Sequence, residues 1–216
     1  MSLDVAIAPD INITFGVPLM IQKVPGAAPF NDGLRRLILA RETGAVGKSV
    51  SNAGGWHSDD TLLDWPEPEI VALKGWIDDA VKRMCRLPLR DKANALNLAY
   101  NATAWANVNR RGHYNKIHNH AGSHWSIVYY VAVGEEEPGH QFNGRLELRD
   151  PRPGAVFGRL PAFMFGTPLT IRPQPGMLVA FPAWIEHWVH PYFGGGERIS
   201  IAVNIDVTRY EVATNG

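Results

Sequence analysis

LNLAYNATAWANVNR, residues 96–110, alternates with a period of two. Leu98, Tyr100, Ala102, Ala104, Ala106 and Val108 fall on one side of an extended chain, and Asn101, Thr103, Trp105, Asn107 and Asn109 on the other. Successive side chains of a strand point to opposite faces, so the pattern predicts a long strand with one apolar face and one polar face. The same alternation returns in RISIAVNID, residues 198–206. Here Ile199, Ile201, Val203 and Ile205 share one face, and Arg198, Ser200, Ala202 and Asn204 the other. Between these two stretches lie Trp125–Val133, Gly144–Arg149, Leu169–Arg172, Met177–Phe181 and His187–His190, short runs with Pro or Gly between most of them. Such a series of short strands predicts a mainly β fold, an antiparallel sandwich or barrel with helices packed on one side.

The helices come first. Residues 67–86 carry Ile70, Leu73, Ile77, Val81 and Met84 at helical spacing, with Trp76 and Ala80 widening the stripe. Pro66 and Pro68 mark the start, Glu67 and Glu69 suit the positive N-terminal end, and Lys82, Arg83 and Arg86 suit the negative end, with Pro88 as the stop. A shorter helix is expected over 33–40, capped by Asn31-Asp32, and an opening strand over 12–24. Residues 43–60, polar and glycine-rich, read as a loop. The expected organisation is a single domain over 1–216: the N-terminal strand and supporting helices in 1–95, the β core in 96–210.

Composition removes several function classes. Basic and acidic residues balance at 21 each, so no nucleic-acid partner is indicated. No apolar run reaches the ~20 residues that span a bilayer, so no membrane partner is expected. The first ten residues lack the basic start of a signal peptide. Cys85 is the one cysteine, which excludes an internal disulfide framework. The expectation is a cytoplasmic protein, with a homodimer as the default assembly and a small molecule or a protein as its substrate.

Four of the eight histidines, His113, His118, His120 and His124, fall within twelve residues. On an extended chain His118 and His120 point to the same side, with Cα atoms about 7 Å apart. Two imidazoles so placed can converge on one metal ion about 2.1 Å from each nitrogen. His187, at the start of a later strand, is the natural third ligand. Arg198 and Ser200 follow, on the face opposite the isoleucines. A buried guanidinium there needs an anion, and its planar fork matches a carboxylate. His113 and His190 have the wrong parity for this group, and His57 and His140 are placed in loops, so those four read as structural or exposed. His124 shares the parity of His120, but Gly122 interrupts the strand between them, which suits substrate contact or support of a ligand better than ligation. Trp105, Asn107 and Asn109 are candidates for the substrate side.

At this point the sequence resembles the Fe(II)- and 2-oxoglutarate-dependent oxygenase superfamily, in a bacterial and phage branch. The motifs that carry the resemblance are Ser51-Asn-Ala-Gly-Gly-Trp56, Trp105-Ala-Asn-Val-Asn109, His118-Asn-His-Ala-Gly-Ser123, Val128-Tyr-Tyr-Val131, Phe181-Pro-Ala-Trp-Ile-Glu-His-Trp-Val189 and Arg198-Ile-Ser-Ile-Ala-Val-Asn204, spanning about residues 50 to 206. The resemblance implies a double-stranded β-helix (jelly roll) and a dioxygenase that hydroxylates its substrate, with Fe(II) and 2-oxoglutarate as cofactors. It implies that His118, His120 and His187 bind the metal and form the catalytic centre. It implies that Arg198 and Ser200 hold the far carboxylate of 2-oxoglutarate, with Tyr130 donating to the same group. His120 stands where the family pattern has an acidic residue. Two alternatives share parts of this pattern. Gly112, His118, His120 and His124 mimic the first motif of a cupin, which would be a three-histidine metalloenzyme without 2-oxoglutarate. Seven tryptophans would also suit a non-catalytic jelly-roll binding protein.

Overall fold

In the computed structural model, residues 16–87, 96–152 and 167–212 are described. The elements in chain order are β1 (Met20–Lys23), α1 (Ala28–Gly44), β2 (Asn52–Ala53), β3 (Trp56–His57), α2 (Pro68–Arg86), β4 (Leu96–Asn109), β5 (Tyr114–His118), β6 (Trp125–Val133), β7 (Leu146–Leu148), β8 (Leu169–Ile171), β9 (Met177–Pro182), β10 (His187–Val189) and β11 (Arg198–Val212). A 3-10 turn at Leu62–Asp64 joins β3 to α2.

The long strand expected from 96–110 is β4, and its partner is β11. They pair antiparallel from Arg198 opposite Asn109 to Val212 opposite Leu96, with one irregularity between Val207 and Arg209. They sit inside a sheet of order β1-β9-β6-β11-β4-β3, and a second sheet of order β2-β5-β10-β7-β8 completes the jelly roll. All the named strand pairs are antiparallel.

The alternation of β4 and β11 decides what each face of the large sheet does. Ala104, Ala106, Val108, Ile199, Ile201, Val203 and Ile205 join one buried cluster with Leu34 and Ile38 of α1 and Ile70, Leu73, Ile77, Val81 and Met84 of α2. The apolar stripe of α2 therefore lies on the isoleucine face. Pro68 sits in its first turn, Glu69 beside it, and Arg83 and Arg86 in its last turn, as the dipole favours. A second apolar cluster fills the space between the sheets: Tyr130, Leu146, Leu148, Ile171, Val179, Phe181 and Ile185. The side of β11 that carries Arg198 and Ser200 faces inward, and both residues are buried.

Three expectations change. Helix α1 begins at Ala28, with Pro29 in its first turn, so Asn31 is not its cap. Asn31 is buried within the helix, where its Oδ1 accepts the Tyr129 hydroxyl at 2.6 Å and ties α1 to β6. Residues 43–60 are not all loop, because they contribute β2 and β3. Of the expected opening strand, β1 holds Met20–Lys23, while residues 12–15 and the stop at Pro88 lie outside the described residues.

Ile201, fully buried between β4, β6 and the helices, measures how much the helix-side cluster contributes. Ile201→Ala is expected to cost about 2–5 kcal/mol of stability, read as a lower urea midpoint at unchanged slope.

Candidate metal centre

Backbone pairing brings the histidines together. His187 at the start of β10 lies directly opposite His118 at the end of β5, and a register shift follows between His187 and Val189. Residues opposite each other across an antiparallel pair project to the same face. His120 lies two residues past β5, in a turn held by main-chain bonds. Its N–H donates to Ala183 O at 2.9 Å, and Ala183 N–H donates to His124 O at 3.0 Å. The loop before His187 is thus clamped to the turn that carries His120. Ring centroids stand 4.4 Å apart for His118 and His187, 5.0 Å for His118 and His120, and 5.1 Å for His120 and His187. One ring nitrogen from each lies within 4.8 Å of the others.

The tautomers of two rings follow from their partners. His118 Nδ1 lies 2.7 Å from Lys116 O, and His187 Nδ1 lies 2.9 Å from Ile185 O. A carbonyl only accepts, so both Nδ1 atoms carry the proton and both Nε2 lone pairs are free. Burial holds the three rings neutral: His118 is lowered, His120 is pushed down to about 4 and His187 to about 3, with His118 adding to the burial in the last two. Three convergent neutral imidazoles fit a divalent transition metal. No carboxylate completes the set among the described residues. Glu186 adjoins His187 in sequence but faces outward, to Arg149 at 3.0 Å.

On the inward side of the large sheet, Arg198 is 1% exposed. Its Nε donates to Gly144 O at 2.8 Å and its Nη1 to Ser200 Oγ at 3.4 Å, while Nη2 is buried without a partner. Tyr130 stands opposite Ser200 on β6, with its ring 5.3 Å from the guanidinium carbon and its buried hydroxyl also unpartnered. Burial pushes the Tyr130 phenol up, against the pull of Arg198, so the hydroxyl keeps its proton. The adjacent Glu197 alternates to the other side and binds Arg35 at 2.6 Å. A buried cation that keeps an open donor beside a free phenol and a serine hydroxyl fits a carboxylate, which would accept from all three. Gly144 allows this approach: at φ +62° a Cβ there would stand 3.1 Å from Arg198 Cδ and 3.2 Å from Tyr192 Cδ2.

The remaining sequence candidates divide. Asn107 lies opposite Ser200 and Asn109 opposite Arg198, which places both at the guanidinium end. Each keeps a buried Oδ1 without a partner, while Asn109 Nδ2 donates to Asn115 Oδ1 at 3.2 Å. Trp105 stands beside His120, ring centroids 5.7 Å apart. His124 is not brought to the cluster. It is exposed past the turn at 121–122, where its Nδ1 accepts the Val207 N–H at 3.1 Å, in keeping with the break expected at Gly122. His57 also corrects expectation. It is 3% exposed in β3, stacked on Trp105 with centroids 5.3 Å apart. His113 and His190 are structural, accepting the Arg110 N–H at 3.1 Å and meeting Glu147 at 2.8 Å respectively. Sequence reasoning missed Asn52, whose side chain binds Val50 N–H and the carbonyls of Lys48, Gly54 and Gly55. Its signal was the Ser51–Trp56 motif, whose Gly54 and Gly55 both have positive φ.

Comparison with known proteins agrees with this geometry. Residues 103–204 match the model of the family described as "Putative 2OG-Fe(II) oxygenase". The fold is similar to a prolyl-4-hydroxylase from Pseudomonas putida, at 16% identity, covering 87% of this chain and 91% of that one with a TM-score of 0.58. It is similar to a prolyl hydroxylase from Trichoplax adhaerens, solved with a hypoxia inducible factor peptide, at 14% identity, 87% and 83% coverage and a TM-score of 0.61. It is also similar to iron-bound HygX from Streptomyces hygroscopicus, at 12% identity, 89% and 83% coverage and a TM-score of 0.52. No curated protein matches the chain in sequence. The matched stretch, residues 103–204, holds His118, His120, His187 and Arg198.

Proposed function

We propose that this oxygenase hydroxylates its substrate at a metal held by His118, His120 and His187, with 2-oxoglutarate anchored by Arg198, Ser200 and Tyr130. The observation that carries the reading is the presence of two incomplete sites, one on each sheet: convergent imidazoles and a buried guanidinium with an unpartnered Nη2. When bound, Fe(II) supplies the chemistry that couples oxidation of 2-oxoglutarate by O2, to succinate and CO2, to insertion of one oxygen atom into a substrate C–H bond.

The residues have separable tasks. The Lys116 and Ile185 carbonyls fix two imidazoles as Nε2 donors before any ligand arrives. Arg198 forms a charge-assisted bond with the far carboxylate, to which Ser200 and the protonated Tyr130 add donors. The apolar wall of Leu146, Leu148, Val179 and Phe181 keeps water from this end of the site. A neutral ligand set leaves a divalent ion with its full charge, and the two carboxylates of 2-oxoglutarate balance it. The cosubstrate therefore takes the electrostatic place of the missing acidic ligand.

The cupin alternative leaned on His124, which faces away from the cluster, and it has no use for a buried Arg198.

Two measurements test this reading. The purified protein loaded with Fe(II) is expected to release succinate from 2-oxoglutarate under O2. His187→Ala, which removes the ring opposite His118, should lose metal stoichiometry by elemental analysis and succinate release together. Arg198→Gln should retain the metal and raise KM for 2-oxoglutarate roughly 10- to 100-fold, the loss of a charge-assisted bond of about 1.5–3 kcal/mol. Wild-type protein that binds iron but leaves 2-oxoglutarate unconsumed would remove the proposal.

A further inference from the structure

His120 differs from the other two imidazoles of the cluster. His118 and His187 are each oriented by a carbonyl on Nδ1, at 2.7 and 2.9 Å, and among the described residues no such bond holds the ring of His120. Its backbone is fixed through Ala183, but that leaves rotation about the side-chain torsions. What meets the ring outside the cluster is Trp105, with centroids 5.7 Å apart at an interplanar angle of 55°. That separation lies inside the range in which aromatic rings attract.

Trp105 is itself held. The register of β3 on β4 sets His57 opposite Asn107, and so diagonally next to Trp105. The two rings stack at 11°, centroids 5.3 Å apart. His57 has no freedom of its own: it is buried and its Nδ1 meets Ser58 O at 2.6 Å. Opposite Trp105 on β11 stands Ala202, a small neighbour. The column His57, Trp105, His120 thus runs from the β3–β4 edge of the large sheet to the metal cluster.

We infer that Trp105, backed by His57, is the positioning residue for His120, doing by ring packing what backbone carbonyls do for His118 and His187. This assigns Trp105 to the metal centre rather than to substrate recognition, and gives buried His57 a role that its place in a supposed loop did not suggest. The inference rests on the proposed metal role of the three histidines. It concerns the one position where the family pattern has a carboxylate. An imidazole there is larger and has one usable lone pair, so its ring orientation decides whether it ligates at all.

The test uses the full-length protein and Co(II) alone, read by visible absorption during titration, so that no turnover is involved. Trp105→Leu is expected to weaken Co(II) binding about 10- to 100-fold, the usual effect of losing a ligand's support. It should also shift the absorption bands toward those of His120→Ala. Trp105→Phe, which keeps a flat ring, should restore most of the affinity. In the His120→Ala background, Trp105→Leu should add no further loss, because its action runs through a ring that is gone. A melting curve checks that each variant is folded. Wild-type affinity and spectrum in Trp105→Leu would overturn the inference, and so would an equal loss in the presence and absence of His120. Failure of the wild type to bind Co(II) would overturn the three-histidine site itself, and the wild-type titration separates that result from the others.

Discussion

The antiparallel pairing of β4 with β11 is the constraint on which the rest of this structure depends. Fourteen partnered positions run from Arg198 opposite Asn109 to Val212 opposite Leu96. A shift of one residue in such a pair turns every side chain to the other face. Slipped by one, β11 would turn its isoleucines toward the interior and Arg198 toward the helices. The register is held because Ile199, Ile201, Val203 and Ile205 have a large apolar area to bury against α1 and α2. The helices therefore do more than cover the sheet. By rewarding one register, they aim Arg198 and Ser200 at the metal side of the jelly roll.

The second sheet plays the complementary part. Its strands β5 and β10 are only five and three residues long, too short to be stable by themselves. They are held by main-chain bonds to their surroundings, including Lys116 N–H to Ser51 O and His190 N–H to Arg145 O. Directly opposed positions on these two strands deliver His118 and His187 to one point, and the turn after β5 adds His120. The site is thus assembled from both sheets: ligands on the smaller one, anion clamp on the larger. Its geometry depends on how the sheets pack, through Tyr130, Val179, Phe181, Leu146 and Leu148.

Much of this was legible in the residues, and the exceptions have physical causes. Strands β4 and β11 announce themselves because alternation over many residues is a local signal that one buried face enforces, while β6 and β9 show as short apolar runs. The site followed from the same signal, since parity alone separated Arg198 and Ser200 from the isoleucines. Strands β2 and β3 could not be read this way. Two residues carry no period, and they are strands only because Asn52 meets Asn115 and Trp56 meets Val108 across the chain. Asn31 has the composition of a cap, but its amide is drawn to Tyr129, 98 residues away, and the helix starts earlier at Ala28. His57 failed for the same reason as β3: its stacking on Trp105 exists only through the β3–β4 register. His124 was already set apart from the ligands in the sequence, because Gly122, with φ +92°, breaks the strand between it and His120.

The distribution of cost between the two faces of the large sheet accounts for how such a site is tolerated. On the inner face, Arg198 Nη2, Tyr130 Oη and the Oδ1 atoms of Asn107 and Asn109 are buried without partners. An unsatisfied buried polar group costs about 1–3 kcal/mol, more when charged. Across from them, on the smaller sheet, burial holds three imidazoles neutral. The outer face carries the opposite load, a dense cluster in which Leu34, Ile38, Leu73, Val81, Ile201 and Val203 are fully enclosed. Because each strand presents both faces at once, every residue added to the outer cluster also fixes a polar neighbour on the inner one. Stability and preorganisation are therefore coupled through the backbone: the packing that offsets unpaired donors and acceptors also keeps them aimed, so a ligand that completes them need not reorganise the sheet to bind.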